Sequence, residues 1–340
     1  MRWVVAEPGP NFSVFDTYTG WVEALRGAGQ QVIEYNLSER LTFYASALKQ
    51  VGADTFQHML TAQQSYELAV NGLYATLFKA RPDVLFVVSG FFIPWQLLDK
   101  ARRSGTRIVL LHTESPYEDE RMMGLAPFVD LLLIDDPTNY EKFQSVTTTA
   151  YVPKAYRPSL HCPGPAVPEL ECDLAFVGTG YPSRVDFLER MDLSGLDVLL
   201  AGNWQAVEES SPLYPYVAHD PEACLPNERT VEVYRSAKVG LNLYRREAQR
   251  PELSAGWSMG PREIEMAACA LPFARDPRGE GDEVLPMLPT FADPAEASQI
   301  VRWFLDHDGE REKASLAIRE AVAWRTFDHH AAVLLHLLEN

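Results

Sequence analysis

The segment from Ser258 to Arg278, SMGPREIEMAACALPFARDPR, places a glycine, a proline, an arginine and two carboxylates at the start of a predicted helix. Gly260 lets a ligand approach the backbone, and Pro261 suits the first helical position. The free amides of a first helical turn attract anions, and Arg262 adds a positive charge beside them. These residues in this order predict a pocket for a nucleotide diphosphate.

Glu265 lies on the same predicted helix, to one side of its apolar stripe. A carboxylate at this position can accept two hydrogen bonds from a ribose diol, which is the pairing that nucleotide-binding folds use. The alternative is that Glu265 is a solvated charge on the flank of the helix.

A second glycine turn occurs in DLAFVGTGYPSR, which runs from Asp173 to Arg184. Gly178 and Gly180 permit a tight turn between a strand and a helix, and Arg184 in the following turn can meet a phosphate. Because the third glycine of a dinucleotide fingerprint is missing, the glycines could instead serve only the turn. Two such helix starts in one domain can share a ligand.

The sequence VGLNLYRR, Val239 to Arg246, places polar residues at the end of another predicted strand. Asn242, Arg245 and Arg246 would lie near the diphosphate, where the arginines can offset negative charge on a leaving group. Their alternative role is a surface ion pair with one of the many carboxylates.

In the first half of the chain, His112 and Glu114 follow directly after the predicted strand in RIVLLHTESPYEDE. Either side chain could act as general base on an acceptor hydroxyl, and the unperturbed pKa of histidine lies near neutrality. His112 could equally be hydrogen-bonded within the domain wall. Asp135, Asp136 and the segment from Asn11 to Asp16 hold similar positions, so the sequence selects no single base.

These residues need a scaffold, and short apolar runs alternate with helical patterns along the first half of the chain. The pattern predicts one doubly wound α/β domain. Its strands are expected at residues 3–6, 31–35, 84–88, 107–111, 131–134 and 150–152, and its helices at 20–28, 55–79, 94–104 and 137–144.

The proline-rich passage from Pro153 to Pro168 suits neither a helix nor a central strand and predicts a linker. The alternation then restarts, which indicates a second Rossmann-like domain facing the first across a cleft. Its strands are expected at residues 173–177, 197–201, 239–243 and 272–275, and its helices at 184–191, 230–236, 261–270 and 294–306, followed by two more at 309–322 and 327–339.

The composition narrows the class of protein. The 340 residues suffice for two domains, and the net charge of −17 argues against broad attraction to nucleic acid or anionic membrane. The start of the chain does not look like a secretion signal, and no apolar stretch is long enough to span a bilayer, so we expect a cytoplasmic location.

Metal chemistry is not expected. Cys162, Cys172, Cys224 and Cys269 are scattered without histidines at metal spacing, which favours a reduced compartment and no zinc site. The Asp306 to Asp308 triplet favours a helix boundary, and the acidic sequence GEGDE, residues 279–283, favours a turn over a calcium loop.

In combination, three segments resemble the GT-B glycosyltransferases, and more narrowly the CgeB-like group of spore-maturation and phage glycosyltransferases. They are DLAFVGTGYPSRVDFLERM, VGLNLYR, and SMGPREIEMAACALPFARDPRGEGDE followed by LPTFADPAEASQIVRWFL, and together they cover most of residues 172–306. The resemblance implies two Rossmann-like domains, a nucleotide-sugar donor held mainly by the second, and a final helix that crosses back to the first.

The resemblance also implies site residues. Gly178, Gly180 and Arg184 would line the donor phosphates, and Glu265 would hold the ribose. Arg245, Arg246 and Arg262 would lie nearby. The further donor-binding candidates, taken from the strand end and the helix start described above, are Asn242, Ser258 and Gly260. Many retaining GT-B enzymes carry a second glutamate eight positions earlier, but this chain has Trp257 there.

We therefore expect a metal-independent glycosyltransferase that has no cofactor and takes a nucleoside-diphosphate sugar, in particular a UDP-sugar. The acceptor is a hydroxyl group on a modified nucleobase of phage DNA, a small molecule or a surface glycan. The catalytic candidates are His112, Glu114 and Arg246. The expected domains are residues 1–155 for the acceptor, 156–322 for the donor, and 323–340 as the returning helix. The alternatives are a nucleotide-sugar epimerase and a non-catalytic nucleotide-sugar-binding protein.

Overall fold

The computed structural model divides the chain into two compact units. Unit 1 comprises Met1–Pro153 and Ala331–Asn340, and unit 2 comprises Lys154–His330. Each unit has its own hydrophobic core around a parallel sheet, which confirms the predicted α/β class with two Rossmann-like halves. The residues that the structure describes are 1–10, 14–217, 225–247 and 256–339.

In the described part of unit 1, six parallel strands form a sheet in the order β2-β1-β5-β6-β7-β8. Every residue of β5 is buried, because helices cover both faces of a doubly wound sheet and the strand is therefore apolar throughout. A separate antiparallel hairpin joins β3 to β4. The strands of unit 1 are β1 (Arg2–Ala6), β2 (Gln31–Tyr35), β3 (Leu48–Gln50), β4 (Phe56–His58), β5 (Val84–Val88), β6 (Arg107–His112), β7 (Leu131–Ile134) and β8 (Thr149–Tyr151).

The helices of unit 1 differ from the sequence prediction in several places. Helices form at Leu37–Ala45 and Asp119–Met123, where none was predicted, and the first helix begins at Phe15, before the expected residue 20. One long segment also differs. The predicted helix 55–79 begins only after Thr61, because Thr61 Oγ1 accepts the Gln64 amide at 3.2 Å while Gln64 Oε1 accepts the Thr61 amide at 2.9 Å. The residues before this capping box form β4. The helices are α1 (Phe15–Gly27), α2 (Leu37–Ala45), α3 (Ala62–Ala80), α4 (Trp95–Arg103), α5 (Asp119–Met123) and α6 (Tyr140–Gln144).

In the described part of unit 2, four parallel strands pair in the order β10-β9-β11-β12. The register places Gly240 of β11 beside Ala175 of β9 and Phe273 of β12. All four strands therefore end at the same edge of the sheet. The strands are β9 (Cys172–Val177), β10 (Val198–Ala201), β11 (Ala237–Asn242) and β12 (Phe273–Arg275).

The segment Gly279–Glu283, expected to be a turn, lies in helix α10 (Gly279–Val284). Its acidic side chains have buried basic partners: Glu280 Oε1 lies 2.7 Å from Arg325 Nη1, and Asp282 Oδ1 lies 2.7 Å from Arg275 Nη2. These pairs offset the desolvation that would otherwise keep the segment at the surface. The other helices are α7 (Pro182–Glu189), α8 (Asn227–Ser236), α9 (Pro261–Ala268), α11 (Pro294–Asp306), α12 (Asp308–Ala321) and α13 (Phe327–Glu339).

Helix α13 begins in unit 2 and ends in unit 1. Within unit 1, Arg107 Nη1 donates a hydrogen bond of 2.5 Å to the carbonyl of Leu338 near the end of this helix. Among the described residues, none of the helices combines the length and apolarity needed to cross a bilayer.

The close packing at Gly240 leads to a test of the unit 2 core. A Cβ on Gly240 would lie 2.6 Å from Met266 Sδ and 3.1 Å from Phe273 Cβ. We expect Gly240→Ala to destabilise unit 2 by about 1–3 kcal/mol, because the added methyl group would overpack the core. Urea unfolding measures this change.

Gly27→Ala is the matched control, because a Cβ on Gly27 in α1 would meet nothing within 4 Å. This control is expected to be neutral or to stabilise by about 0.5–1 kcal/mol, since alanine favours a helix. Equal effects of the two substitutions would contradict the packing described for β11.

Candidate active site

The candidate site lies at the carboxyl edge of the unit 2 sheet, the edge at which open α/β sheets bind ligands. Gly178 follows β9, Gly202 follows β10, Leu243 follows β11 and Asp276 follows β12. Since the strands are parallel, these four chain positions lie along one edge.

Close packing requires glycine at two positions, Gly202 after β10 and Gly180 in the turn after β9. Gly202 has φ +115°, and a Cβ on it would overlap the carbonyl oxygen of Gly178. A Cβ on Gly180 would lie 2.6 Å from the Trp204 ring, and Trp204 is fully buried. The glycines therefore fix the turn, and they also bring the β9 and β10 ends together.

Arg184 in α7 is buried, with 6% of its surface exposed. Its Nε donates to the carbonyl of Leu243 at 3.0 Å, and its Nη1 donates to the carbonyl of Thr179 at 3.0 Å. Burial, and next the charge of Arg262, lower the pKa of Arg184 to about 9. The folded chain thus holds a cation that an added anion would stabilise.

Arg262 lies against the same glycine as Arg184. A Cβ on Gly178 would lie 3.2 Å from Arg262 Cζ and 3.4 Å from Arg184 Nη1. Arg262 forms no hydrogen bond or ion pair within the described ranges, and Arg184 donates there to backbone carbonyls. The two guanidinium groups therefore meet at Gly178, and neither forms an ion pair among the described residues, although the charge of Glu247 acts on Arg184.

Arg245 and Arg246 lie at the end of β11, as predicted, but their surroundings differ. The charge of Arg245 contributes to the lowered pKa of Arg184, after larger contributions from burial and Arg262, so Arg245 faces the same region. Arg246 Nη2 lies 2.7 Å from both carboxylate oxygens of Asp276. The surface ion pair considered for Arg246 is thus present, and it partly neutralises this arginine.

Glu265 and Asn242 are buried near this edge. Glu265 Oε2 accepts a hydrogen bond of 3.4 Å from the Tyr234 hydroxyl, and burial followed by the charge of Glu265 raises the pKa of Tyr234 well above its usual range. Asn242 is the last residue of β11, and its Nδ2 has no hydrogen-bond partner among the residues that the structure describes. A buried amide nitrogen of this kind can donate to a ligand.

Glu263 joins the start of α9 to the end of β11. Its Oε2 accepts the Gly260 amide at 2.8 Å and also the hydroxyl of Tyr244. Arg278 stacks on the Tyr244 ring, with Cζ 3.9 Å from the ring centroid. Burial raises the pKa of Glu263 to about 7, although the bonds from Tyr244 and Gly260 oppose the shift. This group holds the first turn of α9, which carries Arg262.

The segment before α9 is also buried. Ser258 is 5% exposed, and Met259 N donates to Glu280 Oε2 at 2.6 Å. The Trp257 side chain packs on Gly279, where an added Cβ would lie 2.5 Å from the indole ring. Trp257 stands where many retaining GT-B enzymes carry a second glutamate, and here its side chain packs against the start of α10.

The first turn of α7, predicted to bind phosphate, contacts a carboxylate of the protein. Glu247 Oε1 accepts the Ser183 amide at 2.8 Å, and its Oε2 accepts the Arg246 amide at 3.1 Å. Although burial raises the pKa of Glu247, the hydrogen bond from the Ser183 amide holds it below its ordinary value. An anion is thus stabilised at this helix start.

In unit 1, His112 is fully buried at the end of β6. Its Nε2 lies 2.8 Å from Asp119 Oδ1, and Asp119 Oδ2 accepts Asn139 Nδ2 at 2.6 Å. Although burial raises the pKa of Asp119, its contact with His112 holds that pKa below its ordinary value. Glu114 is half-buried two residues beyond the strand. His112 is therefore hydrogen-bonded inside unit 1, which is the alternative considered for it from the sequence.

The structure thus gathers the predicted donor residues along one edge of unit 2, while His112 and Glu114 belong to unit 1. Sequence reasoning assigned no role to Glu263, Tyr244 or Asp276. A signal for Glu263 was available, because a glutamate three residues after a helix cap is typical of a capping box. Asp276 and Tyr244 carry no comparable local signal. Asn11 and Cys224 lie outside the described residues.

Residues 184–336 match a family model described as glycosyl transferase-like. No curated protein matches the chain. The matched region starts at Arg184 and contains β11, α9 and β12, so it covers most of the candidate site.

Solved structures match nearly the whole chain at low sequence identity. Sucrose-phosphate synthase from Thermosynechococcus elongatus is 13% identical with a TM-score of 0.66, over 99% of this chain and 98% of that one. Anabaena HepE in complex with UDP-glucose is 10% identical with a TM-score of 0.62, over 99% of both chains. An α-glucosyltransferase in complex with UDP is 12% identical with a TM-score of 0.63, over 96% of both chains.

The fold that these structures share with the chain is GT-B, as predicted. Residues 184–336 are therefore similar in sequence to a glycosyl transferase-like family, and the whole chain shares its fold with these solved glycosyltransferase structures.

The buried Glu263 gives the fold a pH dependence that can be measured. Its pKa is about 7 in the folded chain against 4.5 for an ordinary glutamate, so its contribution to stability is present below pH 4.5 and is lost as pH rises through 7. Relative to Glu263→Gln, the wild type should lose on the order of 3 kcal/mol of unfolding free energy over this range. Urea unfolding at several pH values measures the difference.

Glu247→Gln is the control of opposite sign. The pKa of Glu247 is lowered in the folded chain, so its contribution is present at neutral pH and is lost as pH falls. If Glu263→Gln had the same pH profile as wild type, the assignment of the raised pKa to Glu263 would be wrong.

Proposed function

We propose that the chain transfers a sugar from a UDP-sugar to a hydroxyl group of an acceptor, with unit 2 as the donor domain and unit 1 as the acceptor domain. One observation carries this proposal: Arg184 and Arg262 meet at Gly178, and neither forms an ion pair with a carboxylate among the described residues. A diphosphate group supplies the missing negative charge.

The electrostatic balance of the chain supports the choice of an anionic ligand. The net charge is −17, so a free guanidinium has many carboxylates with which it could pair. Keeping Arg184 buried, where its pKa falls to about 9, costs stability that a ligand can restore. Two unit charges about 4 Å apart near a protein surface interact by about 4 kcal/mol, which is enough to anchor a diphosphate.

The remaining donor contacts follow the same edge. Glu265 would accept hydrogen bonds from the ribose diol, and the unpartnered Nδ2 of Asn242 would donate to the phosphates or the sugar. Gly180, Ser258 and Gly260 would keep the backbone close to the ligand. Uridine is the proposed base, because structural relatives of the chain were solved with UDP-glucose or UDP.

Catalysis would rest on stabilisation of the departing diphosphate. Arg184, Arg245 and Arg262 would offset the charge that develops on the leaving oxygen, which is a task that a metal performs in other enzymes. Arg246 would also contribute to this stabilisation, although its ion pair with Asp276 partly neutralises its charge. We therefore propose metal-independent transfer without a cofactor.

The acceptor base belongs to unit 1 in this proposal. His112 and Glu114 stay the proposed bases for an inverting reaction, and Asp119 would then fix the ring of His112 through Nε2. A retaining reaction needs no strong base. We further propose that the chain belongs to the CgeB-like group, on the three motifs described above.

The proposed acceptor is a hydroxyl on a small molecule or a glycan. Relatives include a complex with UDP and glucose, while none of the comparisons supports a modified nucleobase. The charge of −17 also makes duplex DNA a costly partner.

Substitution of the two arginines tests the donor site directly. We expect Arg184→Gln and Arg262→Gln each to weaken UDP binding by about 10- to 100-fold, because each removes a charge-assisted contact worth about 1.5–3 kcal/mol. Isothermal titration calorimetry measures the change. Arg190→Gln is the matched control, because the Arg190 side chain is 60% exposed and pairs with Asp186.

Unchanged affinity in both variants would refute the site assignment. A thermal-shift screen of wild type against UDP, GDP, TDP and their sugars identifies the donor, since a ligand at 100 times its Kd stabilises by about 2.7 kcal/mol.

Product analysis separates the proposed reaction from its alternatives. A transferase forms a new glycoside only when an acceptor is added, whereas an epimerase converts the nucleotide sugar alone. Donor binding without turnover across a broad acceptor panel would favour a non-catalytic binding protein.

A further inference from the structure

The antiparallel hairpin of unit 1, β3 and β4, is exposed along its whole length. Every residue from 48 to 59 is exposed, and in the described part of unit 1 no third strand pairs with the hairpin. An isolated two-stranded sheet is only marginally stable in water, so a further pairing partner would stabilise it.

The exposed surface is apolar. Five large apolar side chains between residues 43 and 59 are more than half exposed: Phe43 71%, Leu48 52%, Val51 53%, Phe56 61% and Met59 62%. The register places Leu48 and Phe56 on one face of the hairpin and Val51 and Met59 on the other, so both faces carry exposed apolar side chains. A sheet extended across two copies would continue both faces.

The register decides which backbone groups are open for pairing. Val51 donates to Thr55 and Met59 donates to Ala47, so in the alternating antiparallel pattern the odd-numbered residues bond across the hairpin. The N–H and C=O groups of Phe56 and His58 therefore point outward from β4. Those of the even-numbered residues of β3 point outward from the other edge.

The central residue of each strand distinguishes the two edges. If two copies paired antiparallel through β3, Lys49 would face Lys49 across the two-fold axis, and like charges directly opposite each other are destabilising. Pairing through β4 instead places Gln57 opposite Gln57, and the two amides can hydrogen-bond. Lysine at the middle of an edge strand is a known protection against pairing.

The charge of this region also favours a second copy. Residues 43–59 contain one lysine and one aspartate, so the patch is neutral in a chain of net charge −17. Two such chains repel least where their contact is neutral. A lipid surface is disfavoured as the occupant, because the patch lacks the cluster of basic residues that binds anionic headgroups.

We propose that the chain forms a two-fold symmetric dimer in which β4 pairs antiparallel with β4 of a second copy, centred on Gln57. Phe56 of each copy then pairs with His58 of the other, and each such pair exchanges two backbone hydrogen bonds. The result is a continuous four-stranded antiparallel sheet with an isologous interface. The small contact implies an association in the micromolar range.

Sedimentation velocity on the full chain tests the dimer. Between about 1 and 100 µM the mass should rise towards twice the single-chain 38.2 kDa. Gln57→Lys should abolish this rise, because it places two lysines across the axis, while Gln50→Lys on the other strand should leave it unchanged. A monomer at all concentrations, or a dimer that persists in Gln57→Lys, overturns the proposal.

A cysteine at the axis identifies the interface itself. Residues opposite each other in a non-hydrogen-bonded antiparallel pair have Cα atoms about 4.5 Å apart, which is within disulfide range. Gln57→Cys should therefore form an intermolecular disulfide under mild oxidation, and Gln50→Cys should not. Equal crosslinking of both variants would refute pairing through β4. Far-ultraviolet circular dichroism confirms that each variant is folded.

Discussion

The hydrogen bonds from the Arg184 guanidinium to the carbonyls of Leu243 and Thr179 hold the candidate site together. They tie the glycine turn after β9 to the end of β11, across neighbouring strands of the sheet. Because the guanidinium uses backbone acceptors, its positive charge is positioned but not neutralised. The placement of the half-buried Arg262 at Gly178 adds a second charge, and the burial of Arg184 makes its charge more effective than it would be in water.

The scaffold was largely predictable because most strands of the two parallel sheets are buried. Strands such as β5 and β7 are continuous apolar runs bounded by turns, and helix α11 starts at a proline after a capping aspartate, so local sequence specifies them. The hairpin of β3 and β4 was missed because all of its residues are exposed and no buried face imposes a period of two.

The residue types of the candidate site were predictable, but the hydrogen-bond and ion-pair partners of these residues were less so. Glycines, arginines and Glu265 follow from strand ends and helix starts, which are local features. The pairing of Arg246 with Asp276 depends on the order of strands in the sheet, and α10 depends on the distant Arg325. The contact of Glu247 with α7 likewise joins residues 64 positions apart. Such partners are fixed by tertiary structure, which no local pattern encodes.

The path of helix α13 bears on how the gene can be divided. The chain passes from unit 1 to unit 2 after Pro153 and returns after His330, so unit 1 is encoded by two separate stretches. A fragment ending at Pro153 would lack the Leu338 carbonyl that Arg107 contacts and the helical turns around it. Expression of unit 1 alone therefore requires a circularly permuted gene, in which residues 331–339 are fused ahead of Met1. Unit 2, in contrast, is encoded by one continuous stretch.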